Sequence, residues 1–210
     1  MHMSRNLRTI YGALAVFMFA SVLVSGPAQA SDKPKMTSTV QCNEEVRGNT
    51  KYQVARAVVN ASPTIVQSVL TDYERAPKVF GGLKECRVIQ ENGPVKHIAF
   101  IASAPGNLWT FDYVLEVKET PGYIEWHRVS GAFKKNEGFW KLEPINEGRS
   151  TQVTYAKYVD SGLFCPQSLI NHELRLSLSQ IMTNLKDTCE TDIRLAKLPN
   201  GVVVEKKVEN

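Results

Sequence analysis

The sequence predicts an α+β domain with a seven-stranded antiparallel sheet and one long C-terminal helix. Three observations lead to that prediction. Six extended segments between Leu83 and Val159 are separated by short clusters of turn residues. A run of apolar residues then recurs at intervals of three or four from Ile170 to Leu185. Finally, two short helices form an insertion after the first strand, and the close spacing of the segments beyond it favours an antiparallel meander.

Residues 1–30 are set apart from this domain. Arg5 and Arg8 precede an uncharged, mostly apolar run from Ile10 to Val24, which ends before Gly26-Pro27 and the small-x-small triplet Ala28-Gln29-Ala30. This is the pattern of a cleavable export signal. As a helix the run would reach about 22 Å, short of the ~30 Å of a bilayer core. The expectation is a mature chain from Ser31 in a periplasmic or secreted location. Residues 31–50 are polar and aperiodic, and read as an N-terminal arm.

The domain itself is expected over residues 51–190. Lys51 to Asn60 forms the first strand. Ser62 and Pro63 suit the N-cap and first helical positions, and Ile65, Val66, Val69 and Leu70 give that helix its apolar face. A second helix of about two turns opens at Asp72-Tyr73 and stops before Gly81-Gly82. Strands follow over 83–90, 95–102, 108–118, 123–130, 133–143 and 151–159, divided by Asn92-Gly93-Pro94, Pro105-Gly106-Asn107, Pro121-Gly122, Gly131 and Glu147-Gly148. From Pro166 to Cys189, Ile170, Leu174, Leu178, Ile181 and Leu185 line one face of a long helix. Residues 191–210 read as a tail, and nothing divides residues 51–190 further.

Composition excludes several functions. Without Arg5 and Arg8, 23 basic residues face 21 acidic ones, and no basic run exceeds two residues, so nucleic acid has no electrostatic footprint. No Walker loop or Gly-x-Gly-x-x-Gly suggests a nucleotide, and no His/Cys/carboxylate cluster has metal-ligand spacing. His97, His127 and His172 lie in no motif that would activate a nucleophile. No cofactor, metal or catalytic residue is assigned. Cys42, Cys86, Cys165 and Cys189 are too widely spaced for redox or zinc motifs, which leaves structural disulfides or free buried thiols.

The candidate binding residues come from strand alternation. Trp109, Phe111, Tyr113, Leu115 and Val117 share one face, and the same parity on later strands selects Ile124, Trp126 and Arg128, then Trp140 and Leu142, then Val153 and Tyr155. Such a face is either a filled core or the aromatic wall of a pocket, with tyrosine hydroxyls as polar handles. If its strand stays regular, Arg128 enters the pocket or its rim, there to grip an anion or to pair with a glutamate such as Glu125 or Glu173. Asn136, Asn171 and Arg175 are further polar candidates near the mouth, and Leu174 and Leu178 face the pocket from the helix.

Several of these segments together resemble a known family: Val58-Val59-Asn60-Ala61-Ser62-Pro63 leading into Val69-Leu70-Thr71-Asp72-Tyr73, then Ile124-Glu125-Trp126, Gly138 to Pro144, and Thr151 to Tyr155. The resemblance is to the START-like (SRPBCC) superfamily, in its polyketide cyclase/dehydrase and lipid transport group that includes coenzyme Q-binding proteins. It implies the helix-grip, or Bet v 1-like, arrangement: a curved seven-stranded antiparallel sheet around the long C-terminal helix, two short helices after strand 1 and an apolar cavity between sheet and helix. It implies a hydrophobic small-molecule ligand of lipid or isoprenoid type, held by a carrier. An enzyme of cyclase, dehydrase or hydrolase kind in the same cavity is the alternative, and a module that docks a protein on its helix is a third. Transient contact with a membrane or membrane protein stays open, as does the oligomeric state.

The length of the C-terminal helix keeps Cys165 and Cys189 roughly 36 Å apart, which excludes their pairing. Of the pairings that remain, the helix-grip arrangement implies Cys42 with Cys165 and Cys86 with Cys189.

Overall fold

In the computed structural model, which describes residues 39–103, 109–162 and 165–196, eight strands form one antiparallel sheet. The strands are β1 Gln41–Arg47, β2 Thr50–Val59, β3 Leu83–Asn92, β4 Val95–Ser103, β5 Thr110–Thr120, β6 Tyr123–Gly131, β7 Lys135–Ile145 and β8 Ser150–Asp160. The helices are α1 Pro63–Thr71, α2 Ala76–Val79 and α3 Gln167–Ala196. The sheet order is β1-β2-β8-β7-β6-β5-β4-β3, so β2, the strand expected first, lies beside β8, the last. This is the helix-grip arrangement.

The sheet has eight strands, not seven. The additional one, β1, falls in the segment read as an arm, and a two-residue Gly48-Asn49 turn folds it onto β2, with Arg47 opposite Thr50. Gly48 has φ +59°, which a residue with a Cβ adopts at a cost. The strand escapes the alternation test because it is an edge strand held by polar contacts. Gln53 Nε2 donates to Glu44 at 2.9 Å, and Arg56 pairs with Glu45.

The helical insertion is as expected at its start and shorter at its end. Pro63 occupies the first turn of α1 after an extended Ser62, whose side chain makes no capping bond. Val66, Val69 and Leu70 are buried. Asp72 accepts from the Arg75 backbone N–H at 3.1 Å, and α2 is a single turn that buries Ala76 and Val79.

Helix α3 runs to Ala196, past the expected boundary at 190. Leu178, Met182, Leu185 and Cys189, spaced by four, three and four, are its fully buried residues. They meet the inner face of the sheet, where Ala55, Ala57, Val59, Ile98, Val153 and Leu142 belong to the same core cluster. A smaller cluster of Val54, Phe139 and Ala156 covers the outer face. Among the described residues no helix is long and apolar enough to cross a membrane. The expected export signal and residues 197–210 lie outside the described residues.

Candidate functional site

Between α3 and the inner face of the sheet lies a cavity of about 290 Å³. Alternation along the strands builds its wall: Tyr113 and Leu115 on β5, Trp126 on β6, Trp140 on β7 and Tyr155 on β8 point inward, each 9 % exposed or less. Their rings are packed against one another. Trp140 and Tyr155 stack with centroids 3.8 Å apart and planes at 5°, Trp126 meets Tyr155 at 5.8 Å, and Phe100 stacks on Tyr113 at 5.3 Å. Such pairs add about 0.5–1.5 kcal/mol each beyond the area they bury. Ser177 and Ile181 close the cavity from α3, and exposed Gly81 and Gly82, between α2 and β3, form part of its rim. There Gly82 O accepts hydrogen bonds from the backbone N–H and hydroxyl of Ser103, at 2.7 and 3.2 Å.

Burial governs the protonation of this wall. Desolvation, the largest cause in each case, pushes the phenols of Tyr113 and Tyr155 well above their ordinary range and the Cys86 thiol up to about 12. Near the opposite end of the strands the Tyr73 hydroxyl donates to Glu119 at 2.6 Å, and Lys96 Nζ stands 3.2 Å from the same carboxylate. Burial first and Glu119 second hold the Tyr73 phenol protonated.

The expected site residues divide. Tyr113, Trp126, Trp140 and Tyr155 line the cavity. Phe111 lies beside it, packed on Phe133 with centroids 5.1 Å apart. Leu178 is wholly buried in the core and Leu174 is partly buried against it, while Ser177 and Ile181 take the lining positions of α3. Trp109 does not point inward: it is 68 % exposed, because regular pairing begins only at Thr110 and its parity is not fixed by a neighbouring strand.

Arg128 does not reach the cavity. The β5–β6 register slips between Val114 and Leu115, which leaves Val129 as an extra residue in β6, and a bulge of this kind re-aims the side chains beside it. The guanidinium turns back onto the end of its own hairpin and donates to Gly131 O at 2.7 Å and Ala132 O at 3.4 Å. Neither Glu125 nor Glu173 is its partner. Asn171, in the second turn of α3, accepts from Gln167 Nε2 at 2.9 Å and is not among the residues that line the cavity. All four cysteines are free thiols, so neither the Cys42–Cys165 nor the Cys86–Cys189 pair is formed in this structure. Cys86 and Cys189 are both buried in the main core cluster, which favours the small, uncharged thiol form at each.

Among the lining residues that the sequence reading did not select, one is charged. Lys157 follows Tyr155 by two positions on β8 and therefore shares its inward face. It keeps part of its surface accessible because it faces the cavity, yet protein surrounds its ammonium, and desolvation lowers its pKa to about 8. Extending the alternation by one step would have found it.

The likeness to known proteins can be set against this geometry. No curated protein matches the chain. Among solved structures, a STAR-related lipid transfer protein from Xanthomonas axonopodis superposes with a TM-score of 0.63 at 16 % identity, covering 77 % of this chain and 97 % of that one. A Streptomyces aromatase/cyclase gives 0.62 at 11 % identity, covering 70 % and 97 %. A START superfamily protein from Mycobacterium smegmatis gives 0.61 at 18 %, covering 67 % and 97 %. Identities this low establish a shared fold and leave activity to be argued from the site. A family model described as polyketide cyclase / dehydrase and lipid transport matches residues 59–186. That stretch runs from the end of β2 through the cavity-lining turns of α3, more than half the chain, and so the protein belongs to the polyketide cyclase / dehydrase and lipid transport family.

Proposed function

We propose that this protein is an exported carrier that holds one hydrophobic small molecule, of lipid or isoprenoid type, between α3 and the sheet without transforming it. The observation that supports this reading is the aromatic-walled cavity of about 290 Å³. That volume lies at the lower end of the ~300–1,000 Å³ range of small-molecule sites, which suits a single chain or a small ring system. A carrier has a physical use in water, since each buried methylene is worth about 0.8 kcal/mol and a long chain does not cross an aqueous space unaided. The titratable wall groups also favour holding over reaction, because burial keeps the Tyr113 and Tyr155 phenols and the Cys86 thiol protonated and so poor as bases or nucleophiles.

Export belongs to the proposal and rests on the pattern of residues 1–30. Oxidation of Cys42 with Cys165 and of Cys86 with Cys189 after export would be read by non-reducing peptide mapping. A cyclase-type enzyme is the second reading, and the amine of Lys157 inside the cavity is the feature that favours it. Native mass spectrometry of protein purified from its own host tests the main reading. A co-purifying apolar molecule that stays chemically unchanged on prolonged incubation is expected. Steady conversion of that molecule would overturn the carrier in favour of the enzyme, and a filled cavity that takes up no apolar probe would remove both.

A further inference from the structure

We propose that the cavity takes a monoanionic amphiphile, an apolar body ending in a carboxylate, with its head group at Lys157; this deepens the reading above and rests on it. The register of the sheet carries the inference. Gln53 on β2 pairs with Lys157 on β8, Lys157 with Gly138 on β7, and Gly138 with Trp126 on β6, so these four residues form one rung across adjacent strands. Asn136 takes the next position of the same parity on β7. On this stretch Gln53 Oε1, Trp126 Nε1 and both amide atoms of Asn136 are buried with no hydrogen-bond partner. Lys157 Nζ has neither a hydrogen bond nor an ion pair among the described residues, and burial alone sets its protonation.

Nearly all buried polar groups in proteins are paired, and each orphan costs about 1–3 kcal/mol. Several orphans on adjacent positions of one face mark a place adapted to something polar. Gly138 is part of that adaptation. A Cβ there would collide with the Trp126 ring and with the carbonyl of Ala156, so the absence of a side chain lets the indole lean across the rung toward the strand that bears Lys157.

Charge and donor count select the head group. Of the described residues that line the cavity, Lys157 carries the single formal charge, and no carboxylate answers it. Lys157 and Trp126, which line the cavity, offer N–H donors, and an ionised carboxylate is a pure acceptor bearing one negative charge. A phosphate monoester carries close to two negative charges and would leave one uncompensated in apolar surroundings. The cavity volume of about 290 Å³ limits the apolar part to one chain or a small ring system.

Other titratable groups do not compete for the lysine at neutral pH. Facing the same cavity are Tyr155 on its own strand, Tyr113 from β5, Cys86 from β3 and Tyr73 from the segment between α1 and α2. Burial holds all four protonated. The register neighbours of Lys157, Gln53 on β2 and Gly138 on β7, are uncharged, as are the lining residues Trp126 on β6 and Ser177 and Ile181 on α3.

Dodecanoic acid and 1-dodecanol, titrated into the full chain below their aggregation concentrations and followed by tryptophan fluorescence, test the proposal. At pH 7 the wild-type protein is expected to bind the acid at least ten-fold more tightly than the alcohol. Lys157→Met should bring that ratio to within two-fold, and Lys157→Arg should restore it. Raising the pH to 10 should erase the preference in the wild-type protein and leave it in the arginine variant. Equal wild-type affinities, or an unchanged preference in Lys157→Met, would overturn the head-group site while the bound alcohol still upholds the apolar cavity. Binding of neither compound would overturn the cavity reading and this proposal with it.

Discussion

Replacing Lys157 by methionine should make the protein more stable at neutral pH. Burial lowers the lysine from an ordinary value of 10.5 to about 8. Because the folded value lies below the unfolded one, the unfolded chain binds more protons between those two pH values, and stability rises with pH across that window. Below pH 8 the penalty for the buried ammonium is fully present, and at about 1.4 kcal/mol per pH unit it amounts to about 3 kcal/mol. Methionine has a similar reach, carries no charge and buries readily. Lys157→Met is therefore expected to gain about 2–3 kcal/mol at pH 7, and the gain should fall below about 1 kcal/mol by pH 10.5. Tyrosines and cysteines that titrate in the same range do so in both proteins and cancel in the difference. Urea unfolding of the two proteins at pH 7 and pH 10.5, followed by circular dichroism, measures it. A variant less stable than wild type at pH 7, or a gain that does not shrink with pH, would refute the assignment of an unpaired, buried amine.

Gly138→Ala should cost about 2–3 kcal/mol and lower Tm by roughly 5–10 °C, since its methyl group would overlap the Trp126 ring and the Ala156 carbonyl; a Tm within 2 °C of wild type, roughly the error of the scan, would contradict that close packing. Trp126→Ala should weaken binding of neutral apolar probes about ten-fold, whereas Lys134→Ala, at a side chain 72 % exposed, should leave it within about two-fold; fluorescence titration with equal effects would argue against the cavity as the binding place. Iodoacetamide should modify the partly accessible Cys42 and Cys165 of the reduced, folded protein well before Cys86 and Cys189, whose thiols burial pushes up to about 12. Mass-spectrometric peptide mapping gives the order, and early modification of Cys189 would be inconsistent with its place on the buried face of α3.

The arrangement of the fold was legible because its cues are local and repeated. Turn residues punctuate the segments from β3 to β8, and the recurrence of Leu174, Leu178, Ile181 and Leu185 marks the face of α3 whose Leu178 and Leu185 are fully buried. Strand β1 was not legible, since its side chains gain from ion pairs and a hydrogen bond to β2, and polar edge contacts leave no apolar period in the sequence. Within the site, alternation located Tyr113, Trp126, Trp140 and Tyr155 because those positions sit in unbroken ladders. It misplaced Trp109 and Arg128, where the ladder has not begun or is interrupted by a bulge. Period-two reading assumes that every residue advances the strand by one step, so its errors gather at strand ends and bulges.

Lys157 shows the other limit, one of expectation about side chains and not of geometry. It lies in an unbroken ladder, paired with Gln53 on one side and Gly138 on the other, and parity alone turns it inward. Reading the inner face as apolar stops the alternation at Tyr155, because a lysine among aromatic residues looks like the end of a pattern. A charged residue that keeps the parity of a buried face carries more information than one that breaks it. Packing alone would select against it by about 3 kcal/mol at pH 7, so its presence calls for a compensating interaction. On a sheet whose neighbouring positions hold an unpaired indole N–H and an unpaired amide, an acidic head group supplies that compensation at one point of the cavity, and the aromatic wall receives the rest of the molecule.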